Sequence, residues 1–178
     1  MQLFQEFINQ LNEESLWEKK LILNRNEYLK VKGSTDTNIY YIKSGSLRIF
    51  FEDEFEEQTI RLGYQGNIIG ALDSFITEKS SDLYIQVLKK TEIWMVSKPS
   101  FMSFVHQNEE RLKMWIVILE QLIYQQLERE KDILTYSPLE RYNRVLKRSP
   151  QLFQEIPLKY IASYLRMTPE TLSRIKKS

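Results

Sequence analysis

Hydrophobic positions change their period along the chain. Over residues 3–18, Leu3, Phe4, Phe7, Ile8, Leu11 and Trp17 recur at helical spacing with polar residues between them, which predicts a short amphipathic helix that must lie on something. From Lys20 to about Ser97 the pattern becomes short β-branched and aromatic runs at 21–23, 28–31, 39–42, 47–51, 58–62, 84–88 and 92–96. Seven such runs predict seven strands closed into a sandwich or barrel. All five glycines (33, 45, 63, 66 and 70) fall between or at the ends of these runs. Gly45, between Ser44 and Ser46, is expected to turn a hairpin.

Helical periodicity returns near Lys98-Pro99 and is sustained from Asn108 to about Thr135. Leu112, Trp115, Ile116, Leu119, Leu122, Ile123 and Leu127 form a wide apolar stripe, and Met114, Val117 and Ile118 add apolar surface on the other side. One face cannot bury all of it. The economical arrangement is a helix that packs on the β body with one side and on a second copy of itself with the other; a central core helix of a monomer is the alternative. Ser137 and Glu140 then form an S-x-x-E capping box with Pro138 at the first helical position, which marks a boundary. This reading divides the chain into residues 1–107, a helix and β body; 108–136, a central dimerisation helix; and 137–178, a helical unit.

Residues 158–177 carry the most specific pattern. Ala162 is a small residue where two helices would cross, and Ile161, Leu165, Met167, Leu172 and Ile175 occupy inward positions, the spacing of a helix-turn-helix. Pro157 begins the first helix; Thr168 is a natural N-cap for the second, with Pro169 as its first residue. The turn calls for a left-handed residue, usually glycine, and here holds Arg166, at an expected cost of about 1 kcal/mol. Opposite the buried side, Pro169, Glu170, Ser173 and Arg174 line the face that could reach base edges, Arg174 donating to guanine and Glu170 accepting from cytosine. Lys159, Arg166, Thr168, Thr171, Lys176 and Lys177 are the expected phosphate contacts.

Charge agrees with this polarity. Residues 137–178 hold nine Lys/Arg against three acids, a net +6; the whole chain is +1, so the rest carries −5. A basic end on an acidic body suits a polyanionic partner. Composition also excludes chemistry. The chain has no cysteine and one histidine, His106, so thiolate sites, iron–sulfur clusters and multi-histidine metal sites cannot be built within one protomer. A cupin-type enzyme, the competing reading of a β-roll, would need such histidines, and no phosphate-cradling or nucleophile-elbow motif occurs. The longest apolar run, around Trp115–Leu119, is far short of the roughly 20 residues that span a bilayer. No secretory signal is visible at Met1–Glu6, and the expectation is a cytoplasmic protein without membrane contact and without enzymatic activity.

With these residues in view, the chain resembles the Crp/Fnr family of bacterial transcription regulators over almost its whole length. Ile39–Arg48 is similar to the family's β-roll hairpin, Gly66–Gly70 to its glycine-bounded strand, and Ile161–Leu165 with Thr171–Ile175 to its DNA-reading end. The resemblance implies an α+β fold: an N-terminal β-roll (a jelly-roll, cyclic-nucleotide-binding-like), a long central dimerisation helix, and a C-terminal helix-turn-helix of the winged-helix type. It implies a homodimer on palindromic double-stranded DNA, with RNA polymerase as a further partner. Members that bind cyclic AMP carry Gly-Glu and, about ten positions later, an arginine followed by a small hydroxyl residue. Here the matching positions are Gly70-Ala71 and Ser81-Asp82, so both polar anchors are missing and Asp82 would repel a phosphate. Cyclic AMP is therefore not expected as effector, no cofactor is predicted, and haem ligation would rest on His106 alone. Ile69, Gly70, Ala71, Leu72, Ser81, Asp82, Leu83 and Tyr84 would line whatever pocket exists. The other functional reading is a β-roll protein whose terminal helical hairpin contacts protein rather than DNA.

Overall fold

The computed structural model describes residues 2–54 and 56–177. The amphipathic segment forms α1 (Gln2–Glu13), which buries Phe7, Ile8 and Leu11. Trp17 lies beyond the helix and packs on Tyr41 and Trp94 of the sheet, with ring centres 5.8 and 6.1 Å away. Six strands follow among the described residues: β1 (Lys19–Leu23), β2 (Tyr28–Lys30), β3 (Ile39–Glu52), β4 (Glu57–Tyr64), β5 (Ile68–Ile69) and β6 (Tyr84–Val96). They pair antiparallel in the order β1-β6-β3-β4, with β2 also on β6 and β5 on β3. The two long strands bend, so that their halves close over a core of Tyr40, Ile42, Leu47, Ile49, Ile69, Ala71, Ile85, Ile93 and Met95. This is the β-roll.

Gly45 does not turn a hairpin. The runs at 39–42 and 47–51 belong to one continuous strand, as do those at 84–88 and 92–96, so the seven expected runs make five strands, and the two-residue β5, which lies outside them, is the sixth. Gly45 sits at φ +96° in a stretch where the β3–β6 register shifts, so it forms a bulge that bends β3 without reversing it. A Cβ there would stand 2.2 Å from Thr91 Oγ1 and 2.6 Å from Thr91 Cα, so the opposing strand passes too close for any side chain. Thr91 completes the corner by accepting a hydrogen bond from the Ser46 amide at 3.1 Å.

Between β5 and β6 a short helix, α2 (Leu72–Thr77), breaks what the sequence pattern leaves as loop. Helix α3 (Lys98–His106) is separate from α4 (Glu109–Leu134), because the Asn108 side chain caps α4 by accepting from the Arg111 amide at 2.9 Å. His106 ends α3 on an exposed position. α1 finds its platform here: Phe7 meets Phe101 and Phe104 edge-on and stacks on Trp115, joining α1, α3 and α4 into one core.

The remaining chain forms α5 (Pro138–Arg148), α6 (Leu152–Glu155), α7 (Leu158–Tyr164) and α8 (Pro169–Lys177). Ser137 caps α5 by accepting from the Glu140 amide at 3.3 Å, as the capping pattern predicts. The segment after Ser149-Pro150 holds the single turn of α6. These helices share a core of Val145, Leu152, Ile156, Tyr160, Ile161, Ala162, Leu165 and Leu172, and that core is continuous with Leu62 and Leu88 on the outer face of the β-roll. Among the described residues, no helix is long and apolar enough to cross a membrane.

Candidate nucleic-acid interface and sensor cassette

Helices α7 and α8 meet around a turn in which Arg166 has φ +55°, the left-handed conformation the spacing requires. The Arg166 amide donates to Ser163 O at 3.1 Å and the Met167 amide to Ala162 O at 3.0 Å, closing the end of α7. Thr168 caps α8, accepting from the Thr171 amide at 3.2 Å. Ile161, Ala162, Leu165 and Leu172 are fully buried, and Met167 and Ile175 are half-buried, so the inward set matches the pattern. Pro169, Glu170, Ser173 and Arg174 line one open concave face together with Lys177. Arg174, Lys176 and Lys177 form the exposed basic last turn of α8.

The expected phosphate contacts divide. Lys159 and Arg166 are exposed, Lys159 with its ammonium 4.5 Å from the Tyr160 ring. The hydroxyls of Thr168 and Thr171 lie 3.1 Å apart, so the helix cap already occupies them. Much of the terminal unit's positive charge is also held internally. Asp132 of α4, with no exposure, accepts from Arg144 Nε at 2.9 Å and from Arg148, while Glu128 accepts from Arg144 at 3.2 Å. Arg141 donates to the carbonyls of Thr135 and Arg166 at 2.9 and 3.1 Å. The cations left open are therefore concentrated around α8.

α7 seats on the β-roll rather than hanging from it. Ser163 Oγ accepts from the Thr59 amide at 3.2 Å, and Ser46 Oγ donates to Glu155 O at 3.2 Å. Lys89 pairs with Glu155 at 2.5 Å. Arg48, almost fully buried in β3, places its guanidinium 4.5 Å from the Tyr160 ring. The sequence pattern alone does not reveal this interface, because it reads α5 to α8 as a unit with its own core.

On α4 the apolar stripe splits. Leu112 and Trp115 lean on the core made by α1 and α3, with Trp115 edge-on to Phe101 at 5.0 Å, so these two belong to the subunit's own packing and not to the open face. Ile116, Ile123 and Leu127 are exposed at 46%, 61% and 51%, with Leu119 and Leu122 half-buried beside them. Tyr124, Ile133 and Leu134 extend the uncovered surface.

At the cassette, Ile69, Gly70, Ala71 and Ser81 are buried, Leu72, Leu83 and Tyr84 are half-buried, and Asp82 is exposed. Lys30, which the sequence pattern does not connect to this loop, reaches it from β2. The residue is 3% exposed, and its ammonium donates to the carbonyls of Val31, Ser81 and Leu83 at 3.1, 3.3 and 2.8 Å. An ammonium has three N–H donors, and all three are spent. Burial pushes the Lys30 pKa down, and the fields of Asp73, Asp36 and Asp82 oppose that shift. The cation at this loop thus has no donor left and sits in the field of three carboxylates.

The architecture is that of a β-roll followed by a long helix and a terminal group of short helices. The chain belongs to the cyclic nucleotide-binding domain family, whose model matches residues 20–108. Solved structures share the whole fold. A mutant of CooA from Carboxydothermus hydrogenoformans superposes with a TM-score of 0.75 at 16% identity, over 96% of this chain and 82% of that one. FixK2 from Bradyrhizobium japonicum gives 0.71 at 15% identity over 89% and 82% of the two chains. The catabolite activator protein of Thermus thermophilus gives 0.58 at 17% identity over 97% and 81%. These are regulators of the Crp/Fnr type, so the likeness to that family read from the sequence holds at the level of the overall fold. No curated protein matches the sequence.

Proposed function

We propose that this protein is a homodimeric, sequence-specific DNA-binding transcription regulator of the Crp/Fnr type, acting in the cytoplasm without cyclic AMP as its effector. The observation that carries the reading is the two-sidedness of α8: Leu172 is fully buried while Pro169, Glu170, Ser173, Arg174 and Lys177 line one open face. A helix held by its back and presenting acceptors and guanidinium donors on its front has the form that enters a major groove. The uncovered stripe of Ile116, Ile123 and Leu127 on α4 supports pairing with a second copy, which would place two reading helices about 34 Å apart. The Lys30 plug in the cassette supports the absence of a cyclic AMP response.

Gel-shift titration against duplex DNA tests the reading, comparing the wild type with Arg174→Ala. The change removes one bidentate base contact from each half-site, each about 1–3 kcal/mol, so binding by the dimer weakens by about 2–6 kcal/mol, roughly 30-fold or more. With roughly three or four phosphates neutralised per protomer, log K falls against log salt with a slope of about −5 to −7. A protein-binding hairpin would show no shift to lose and a slope near zero.

A further inference from the structure

Where β4, α4 and the α5–α6 segment meet, the fold forms a partly open cavity of about 260 Å³ that shares no residue with the cassette. Three arginines line it, Arg61, Arg129 and Arg148, together with Gln125, Gln126 and Tyr164, and no acidic residue is among its lining residues. Arg148 is answered by Asp132 and Glu128. Arg61 and Arg129 have no carboxylate within ion-pair distance among the described residues.

Arg129 is 8% exposed, and its Nε and Nη1 are buried without any hydrogen-bond partner. Only Nη2 reaches an acceptor, Thr59 O at 3.4 Å, while the guanidinium carbon stacks 3.9 Å from the Tyr164 ring. Buried donors are almost always paired, and three unpaired N–H groups on one cation are an exception that calls for an occupant. Burial lowers the pKa of both Arg61 and Arg129, yet arginine stays charged near neutral pH.

We infer that this cavity binds a small metabolite through a phosphate group. Two cations that make no ion pair, one of them partly offset by the field of Asp132, favour a dianion, and a phosphomonoester carries about −1.5 to −2 at pH 7, where a single carboxylate carries −1. The space is slightly below the roughly 300–1,000 Å³ of drug-sized pockets, so it suits a phosphate on a compact body rather than a nucleotide stacked with a base. Gln125 and Gln126 offer amides to that body. Because the walls come from the β-roll, the central helix and the terminal unit, an occupant ties all three and fixes the seat of α7 on β4. This regulatory consequence rests on the DNA-binding reading; the anion site itself does not.

Pyrophosphate is the probe, with sodium chloride at equal ionic strength as the blank. At a concentration about a hundredfold above Kd it raises the melting temperature of the full chain by about 5–10 °C. The rise disappears in Arg129→Gln and in Arg61→Gln and persists in Lys113→Gln, a change on exposed surface near the start of α4. Should Arg129→Gln fail to fold, Arg61→Gln carries the test, since Arg61 makes no ion pair that folding would miss. Phosphorus NMR line broadening of pyrophosphate reads occupancy independently of stability. A rise no larger than that from chloride, or one that survives Arg61→Gln, overturns the site. A normal gel shift with no anion response overturns this inference alone; an anion response with no gel shift overturns the DNA reading alone.

Discussion

The guanidinium of Arg48 in β3 lies 4.5 Å from the centre of the Tyr160 ring in α7, and the same group donates from Nε and Nη2 to Gln86 Oε1 at 2.9 and 2.7 Å. It also pairs with Glu57 at 2.5 Å. One buried side chain thus joins β3, β4, β6 and the terminal helical unit. Arg48→Leu leaves Gln86 and Glu57 without their donor and removes the cation from the Tyr160 ring, and is expected to cost about 2–4 kcal/mol. Urea denaturation checks it; an unchanged midpoint would contradict the joint.

Arg166 holds the left-handed turn between α7 and α8 with an exposed side chain. Arg166→Gly relieves the backbone and is expected to stabilise the fold by up to about 1 kcal/mol, less whatever flexibility glycine adds to the unfolded chain. The same change removes a cation beside α8 in each protomer, so DNA affinity falls and the salt slope of the dimer shrinks by about 2. Calorimetry and anisotropy titration measure the two effects, which should move in opposite directions. Unchanged DNA affinity would remove Arg166 from the interface.

Ile123 and Leu127, one turn apart on α4, are each more than half exposed, so charging them disturbs little inside one subunit. The double change Ile123→Asp with Leu127→Asp is expected to convert a dimer to a monomer in light scattering, with a far-UV spectrum that stays helical. A wild-type protein that is monomeric at high concentration would contradict pairing through α4.

The cassette makes a negative prediction with a clear readout. Cyclic AMP at about 1 mM is expected to leave the melting temperature and the DNA affinity unchanged, because Ala71 and Ser81 stand where the anchoring groups would be and Lys30 has no donor left. A rise of several degrees would show that another group takes the phosphate.

How much of this was legible in the sequence depends on range. The α7–α8 turn was readable to the residue, because its signals are local: a small residue at Ala162, a cap at Thr168 and Pro169, and inward positions at fixed spacing. The β-roll was legible as a class but miscounted, since a glycine that bends a strand and one that reverses it look alike until the opposing strand, here Thr91, is known. The α4 stripe was visible, though Leu112 and Trp115 could not be assigned to one side of it without α1 and α3 in place. Lys30, Arg61 and Arg129 went unread for a different reason. Lys30 meets carbonyls about 50 residues away, and Arg129 meets Thr59 70 residues away. A charged residue in a strand or helix pattern looks solvated until tertiary contacts bury it.

The most direct test of the central claim is selection of bound sites from random duplex DNA by the purified full chain. A twofold-related pair of half-sites, centred about one helical turn apart, is the expected result, with enrichment lost in Arg174→Ala. Recovery of unenriched random sequence, or of a single unpaired site indifferent to Arg174, would contradict it.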